Sequence, residues 1–206
     1  MTDVVIPVRE SRIDQTLIPT LRAFRDCPSV NQIIVVWDGP SHPIPPSWEV
    51  FCCYGPREGK GQAVRLGLDI VNSPRTILCD ADLYGFTREH AEILASDSDG
   101  MILGVCDYVK GAVPWSVDFD VWCRVTGERS LPTDLLRSID LHGYAMEVQI
   151  NGAVALANLP TYTRPLTGVT GALRWDSRRA SEMVRDGEWL RRHPLMVGSG
   201  DVHSHS

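Results

Sequence analysis

Residues 32–37, QIIVVW, are apolar without alternation. A strand with one face in water alternates apolar and polar residues, so an unbroken run needs cover on both faces, as inside a parallel sheet sandwiched by helices. Three weaker runs share this character: DVVIPV at 3–8, EVFCCY at 49–54 and TILCDADL at 76–83. Between them, Ile13, Leu17, Leu21 and Phe24 recur at helical spacing over 13–25. Ala63, Val64, Leu66, Leu68 and Ile70 open a second helix that stops near Asn72-Ser73-Pro74. The resulting β-α-β-β-α-β order over the first 85 residues predicts an open α/β sheet with ligands at the carboxyl edge of its strands.

The second half is less regular. Residues 88–95 read as helix, while 101–107 and 144–157 mix strand and helix patterns. Residues 108–130 form a loop-rich passage holding Trp115, Trp122, Arg124 and Arg129, in which the tryptophans suit sugar stacking or plain packing. A charged helix is expected over 176–192, giving one domain over 1–197 and a polar flexible tail over 198–206. With 206 residues, 43% of them hydrophobic, the chain can bury a core. Its net charge of −6 argues against a broad basic footprint for a polyanion. The six cysteines, Cys27, Cys52, Cys53, Cys79, Cys106 and Cys123, sit in apolar runs without a C-x-x-C pair and read as reduced core residues. No uncharged apolar stretch of about 18 residues and no leader pattern occurs, so a soluble, cytoplasmic protein without a transmembrane segment is expected.

Chemistry concentrates where apolar runs end. In an extended strand side chains two apart share a side, so Asp80 and Asp82 are expected to face one site. Two such carboxylates repel unless a cation or donors compensate, and a divalent metal with substrate phosphates is the usual solution; a capping Asp beside a solvated one is the plainer alternative. Lys60 stands between glycines at a helix start, where backbone N–H groups favour an anion, although the loop is not a Walker A sequence. A solvated lysine in a flexible turn is the alternative there. Asp38, ending VVWD, suits either capping or hydrogen bonding to a nucleoside.

Six segments in order resemble the GT-A fold glycosyltransferases of family-2 type, including the dolichyl-phosphate mannose synthase and glucosyl-3-phosphoglycerate synthase groups. They are VVIPVRES, IIVVWDG, REGKGQAVRLGL, ILCDADLYG, VTGERSLPTDLL and HGYAMEVQIN, and the likeness spans roughly residues 3–175. The resemblance implies a mainly parallel mixed sheet flanked by helices, and sugar transfer from a nucleoside-diphosphate sugar to a hydroxyl acceptor. It implies that Pro7, Arg9 and Glu10 with Asp38 cradle the nucleoside, that Lys60 lies near the diphosphate, and that Asp80 and Asp82 bind ribose and Mn²⁺ or Mg²⁺. Glu147 is then the carboxylate meeting acceptor or donor sugar and the general base of an inverting enzyme, or else a solvated helix residue. Arg129 either binds an acceptor phosphate or donor oxygen or pairs with Glu128 or Asp134.

Departures from the pattern are specific. Arg9-Glu10-Ser11 replaces an Asn-Glu-Glu character, Trp37 stands where an Asp is common, and Thr170 or Gly171 falls where some relatives place a metal-binding His, with His142 and His193 as substitutes. A nucleotidyltransferase would need a Gly-rich loop after the first strand, where this chain has PVRESRID, and a non-catalytic sugar-nucleotide-binding module would tolerate loss of the aspartates. The acceptor is open among a small molecule, a protein and a modified DNA base, as is homo-oligomerisation.

Overall fold

The computed structural model describes residues 1–9, 15–37, 44, 48–55, 58–107, 126–141 and 143–171. Glu10, Asp38, Trp115, Trp122, Arg124, Cys123, His142, His193, the helix expected over 176–192 and the tail lie outside the described residues.

The unbroken apolar runs form the centre of a sheet. Strands β1 (Thr2–Val8), β2 (Val30–Trp37), β3 (Val50–Tyr54) and β4 (Arg75–Leu78) run parallel to one another, β1 pairing with both β2 and β4. The two-residue β5 (Leu83–Tyr84) stands apart, and β6 (Met101–Cys106), β7 (Arg129–Pro132) and β8 (Thr161–Leu166) complete a seven-stranded sheet of order β3-β2-β1-β4-β7-β6-β8. β7 is antiparallel to both β4 and β6, whereas β8 is parallel to β6. Finally β9 (Thr170–Gly171) pairs antiparallel with β5 in a separate ribbon.

Helices cover both faces, as the runs require. On one side Val4, Ile6 and Val8 of β1 and Ile33, Val35 and Trp37 of β2 pack with Leu17, Leu21 and Phe24 of α1 (Leu17–Arg25) and Ala91 and Leu94 of α3 (Arg88–Leu94). Phe24 and Phe86 meet there at 5.1 Å between ring centroids. On the other side Val5, Ile34 and Val36 pack with Ala63, Val64 and Leu68 of α2 (Lys60–Leu68), Leu136 of α4 (Thr133–Ser138) and Met146, Ile150 and Val154 of α5 (Met146–Leu156). Each fully buried aliphatic side chain contributes about 2 kcal/mol before conformational entropy is charged against it.

The amino edge is fixed by Asp3, which is fully buried and accepts hydrogen bonds from Asn31 Nδ2, Gln32 Nε2, Asn72 N, Ser73 N and Ser73 Oγ at 2.6–2.9 Å. Burial opposes its charge, but donors from Ser73, Asn31 and Asn72 outweigh that and hold its carboxyl below the ordinary value. The carboxyl edge is left open instead. From β1 the chain winds outward to β2 and β3, then returns to lay β4 on the opposite side of β1, and this reversal is where open α/β sheets form a crevice. Pro7 lies in a central strand, where a missing N–H is normally costly. Pairing between β1 and β4 stops at Val5 with Leu78, so Pro7, two residues on and facing the same side, has no ladder bond to lose.

Several elements differ from expectation. The strand expected over 76–83 ends at Leu78, leaving Asp80 and Asp82 in the turn beyond it, so strand alternation does not orient them. α2 begins at Lys60 rather than Ala63, the mixed segment 144–157 is mainly helix, and the loop read over 108–130 gives way to strand at Arg129. Cys27, Cys79 and Cys106 are buried as expected, Cys53 is half-buried, and Cys52 is exposed on β3.

Candidate functional site

Three elements converge on the carboxyl edge. Gly59 caps α2 with φ 104°, a left-handed turn that glycine adopts without a Cβ clash, and it delivers Lys60 as the first helical residue. Lys60 Nζ donates to Asp80 Oδ1 at 2.7 Å, just past β4, and to Glu147 Oε1 at 2.6 Å, in the first turn of α5. The lysine side chain is 17% exposed, Asp80 32% and Glu147 only 7%, so solvent screens the triangle poorly. Burial works against the ammonium, but Asp80 and Glu147 outweigh it and push its pKa well above the ordinary lysine value.

Asp80 rests on Gly127. A Cβ at that position would meet Asp80 Cγ at 2.5 Å, so only glycine lets the segment entering β7 approach the carboxylate. The next two residues turn inward. Arg129 is fully buried, with Nε and Nη2 donating to Thr126 O and Nη1 donating to Glu147 O at 3.2 Å and Asn151 Oδ1 at 3.1 Å. Arg129, expected either to bind an acceptor phosphate or donor oxygen or to pair with Glu128 or Asp134, here donates to Thr126 O, Glu147 O and Asn151 Oδ1.

Glu128, also buried, was visible in the sequence only as a partner for Arg129. Its Oε2 lies 2.5 Å from Thr126 Oγ1, which lies 2.7 Å from Gly104 O. One hydroxyl hydrogen cannot serve two acceptors, and a carbonyl can only accept. The arrangement is satisfied when Thr126 donates to Gly104 O and a protonated Glu128 Oε2 donates to Thr126 Oγ1. Burial first, then the nearby Asp80 charge, push the Glu128 carboxyl up to about 7, against the opposing pull of the Thr126 hydroxyl and Lys60. Its Oε1 is buried and has no hydrogen-bond partner among the described residues. The thiol of Cys106, which donates to Glu128 Oε2 at 3.6 Å, is pushed up by burial and by Glu128.

Of the remaining expected residues, the described ones lie along the same edge. Pro7 and Arg9 are half-buried at and just beyond the end of β1, and Asp82 is half-buried immediately before β5. The ribbon pairs Leu83 with Gly171 and Tyr84 with Thr170, which brings the missing-His positions beside the aspartate turn; a Cβ on Gly171 would meet nothing within 4 Å. Among the described residues no group of three or more His, Cys, Asp and Glu is arranged to hold a metal. Asp80 and Asp82 supply hard oxygen donors suited to Mg²⁺ or Mn²⁺, which commonly complete their shells with phosphate and water. Lys60, Asp80, Asp82 and Glu147 together carry two net negative charges in their ionised forms, which a divalent cation balances.

No protein-family model matches the sequence, and no curated protein does. Solved structures do match. A crystal structure of a mycobacterial protein superposes with a TM-score of 0.74 over 97% of this chain and 76% of that one, at 14% identity. Mannosyl-3-phosphoglycerate synthase from Rubrobacter xylanophilus gives 0.70 over 94% and 75%, at 17% identity. Glucosyl-3-phosphoglycerate synthase from Mycobacterium tuberculosis, in complex with Mn²⁺, UDP and glucosyl-3-phosphoglycerate, gives 0.69 over 98% and 82%, at 15% identity. The chain has the GT-A fold. At these identities the GT-A likeness establishes architecture, and the chemistry rests on the residues at the sheet edge.

Proposed function

We propose that this chain transfers a sugar from a nucleoside-diphosphate sugar to a hydroxyl acceptor with the help of Mn²⁺ or Mg²⁺. The observation that carries the reading is Lys60 held between Asp80 and Glu147 at the carboxyl edge of the sheet. A lysine gripped by two carboxylates is a fixed donor, already paid for in side-chain entropy when a phosphate arrives. Pro7 and Arg9 at the end of β1, with Glu10 and Asp38, take the nucleoside; Lys60 faces the diphosphate; Asp82, with Asp80, holds the metal. When bound, the metal offsets charge gathering on the nucleoside diphosphate as the sugar–phosphate bond breaks.

Glu147 is assigned a different emphasis from that given by sequence. With its side chain 7% exposed and Oε1 on Lys60, it orients the lysine more directly than it reaches an acceptor hydroxyl. Glu147→Gln separates the two roles: loss of transfer with nucleotide binding intact favours the base, whereas loss of both favours the orienter.

The test is calorimetric titration of UDP, GDP and ADP and their sugars, with Mn²⁺ or Mg²⁺ and again with chelator. Metal-dependent binding of one nucleotide series supports the reading. A folded protein that binds none of them, with or without metal, refutes it. Small molecules, proteins and modified DNA bases are the acceptor classes to screen, beginning with phosphoglyceric acid, which one glucosyl-3-phosphoglycerate synthase crystal contains together with UDP-glucose. Among the described residues no helix is long and apolar enough to cross a membrane.

A further inference from the structure

Apolar packing of Met146, Ile150 and Val154 glues α5 to the sheet, but an apolar stripe fixes a helix's rotation about its own axis only loosely. Arg129 supplies what packing lacks. From the start of β7 its Nη1 reaches both Glu147 O and Asn151 Oδ1, positions i and i+4 on one face of α5. The other side of the same planar group grips Thr126 O, one residue before the glycine under Asp80. A rigid guanidinium thus spans α5, which carries Glu147, and the segment that lies under Asp80.

We propose that Arg129 is the positioning residue of the Lys60 site, setting the rotation of α5 and the floor beneath Asp80 so that both carboxylates close on one ammonium. Burial of its charge is the physical sign of such a role: removing a guanidinium from water is costly, and desolvation lowers its pKa against the opposing pull of Glu147, Glu128 and Asp80. A surface residue would not bear that cost. The same ionic burial also makes Arg129 poorly replaceable by lysine, which keeps the charge and loses the fork. The consequence for turnover rests on the sugar-transfer reading above, whereas the consequence for Lys60 does not.

Two variants and two readouts test this. Arg129→Lys keeps the charge, and Asn151→Ala keeps Arg129 itself while removing one of its anchors. The first readout is the acetylation rate of Lys60 measured by mass spectrometry, with Lys110, the other lysine of the chain, as internal reference. Release of one carboxylate from the ammonium is expected to raise the relative Lys60 rate about tenfold or more in both variants. The second readout is steady-state kinetics on the donor found by calorimetry: because Lys60 faces the diphosphate, kcat/KM is expected to fall about 10²-fold in Arg129→Lys and the donor Kd to rise with it. Unchanged Lys60 reactivity in a folded variant overturns the proposal, as does unchanged donor binding. If Arg129→Lys does not fold, Asn151→Ala decides alone. If the wild-type chain binds no nucleotide sugar, the transfer reading fails while the lysine rates still decide the positioning role.

Discussion

Replacing Glu128 by glutamine tests the buried acid directly. In the unfolded chain its carboxyl titrates near the ordinary 4.5, whereas in the fold it is pushed up to about 7 by burial and by Asp80. A raised folded-state pKa means that the native protein binds this proton more tightly than the unfolded chain does. Stability from this group is therefore greatest at low pH, declines as pH rises from about 4.5 to 7, and is level above that. The shift corresponds to about 3 kcal/mol as an upper figure, since each pKa unit is about 1.4 kcal/mol and part of the effect is shared with Asp80. Glutamine keeps the shape and donates to Thr126 Oγ1 as the protonated acid does, but it cannot ionise. Urea unfolding at a series of pH values from 5 to 8 should therefore show the two proteins within about 1 kcal/mol at pH 5 and the variant about 2–3 kcal/mol more stable at pH 8. The other titrating groups are common to both proteins and cancel in the difference. A difference independent of pH, or a variant less stable at pH 8, would refute the assignment of the proton to Glu128.

Asp82→Ala should abolish the metal-dependent part of nucleotide binding by calorimetry, and a chelator-sensitive signal that persists would remove Asp82 from the metal site. Gly127→Ala puts a Cβ against the Asp80 carboxyl group, so it should cost about 1–3 kcal/mol of stability and speed Lys60 acetylation, with neither change expected if the segment yields freely. Asp3→Asn exchanges an acceptor-only group for one that carries an N–H₂ among five donors and should destabilise by about 2–4 kcal/mol at pH 7. Because the folded-state pKa of Asp3 lies below the ordinary 3.8, its ionic contribution is present above that value and lost as pH falls through the folded pKa, so the gap to the variant should narrow below about pH 4.

The sequence made the parallel half of the sheet legible because Val4–Val8 and Ile33–Trp37 are apolar on both faces, and only one kind of architecture covers both. The same signal misled at residues 76–83. Hydrophobicity runs on through Cys79, but strand pairing is decided by the neighbour, and β1 offers β4 no partner beyond Val5. β8 was missed for the opposite reason: as an edge strand with Thr161, Thr163, Arg164 and Pro165 exposed, it carries little of the apolar pattern that marks a strand. Lys60 was readable as a helix-start lysine, yet its pairing with Glu147, 87 residues away, depends on how α5 docks. The local pattern of TGERSL reads as an exposed loop, because nothing in six residues discloses that Glu128 and Arg129 both point into the protein.

The reversed direction of β7 has a consequence for how such a molecule diversifies. Parallel strands present their ends at the reacting edge, but an antiparallel strand presents its beginning there, as the pairing of Arg129 with Leu78 records. Pro7, Lys60, Asp80 and Asp82 thus descend from one stretch of gene, while the segment feeding β7 and the helix after it bring Gly127, Arg129 and Glu147 from another. Because the Lys60 ammonium is held by Asp80 from the first stretch and by Glu147 from the second, neither stretch can be rewritten alone without releasing one carboxylate from it.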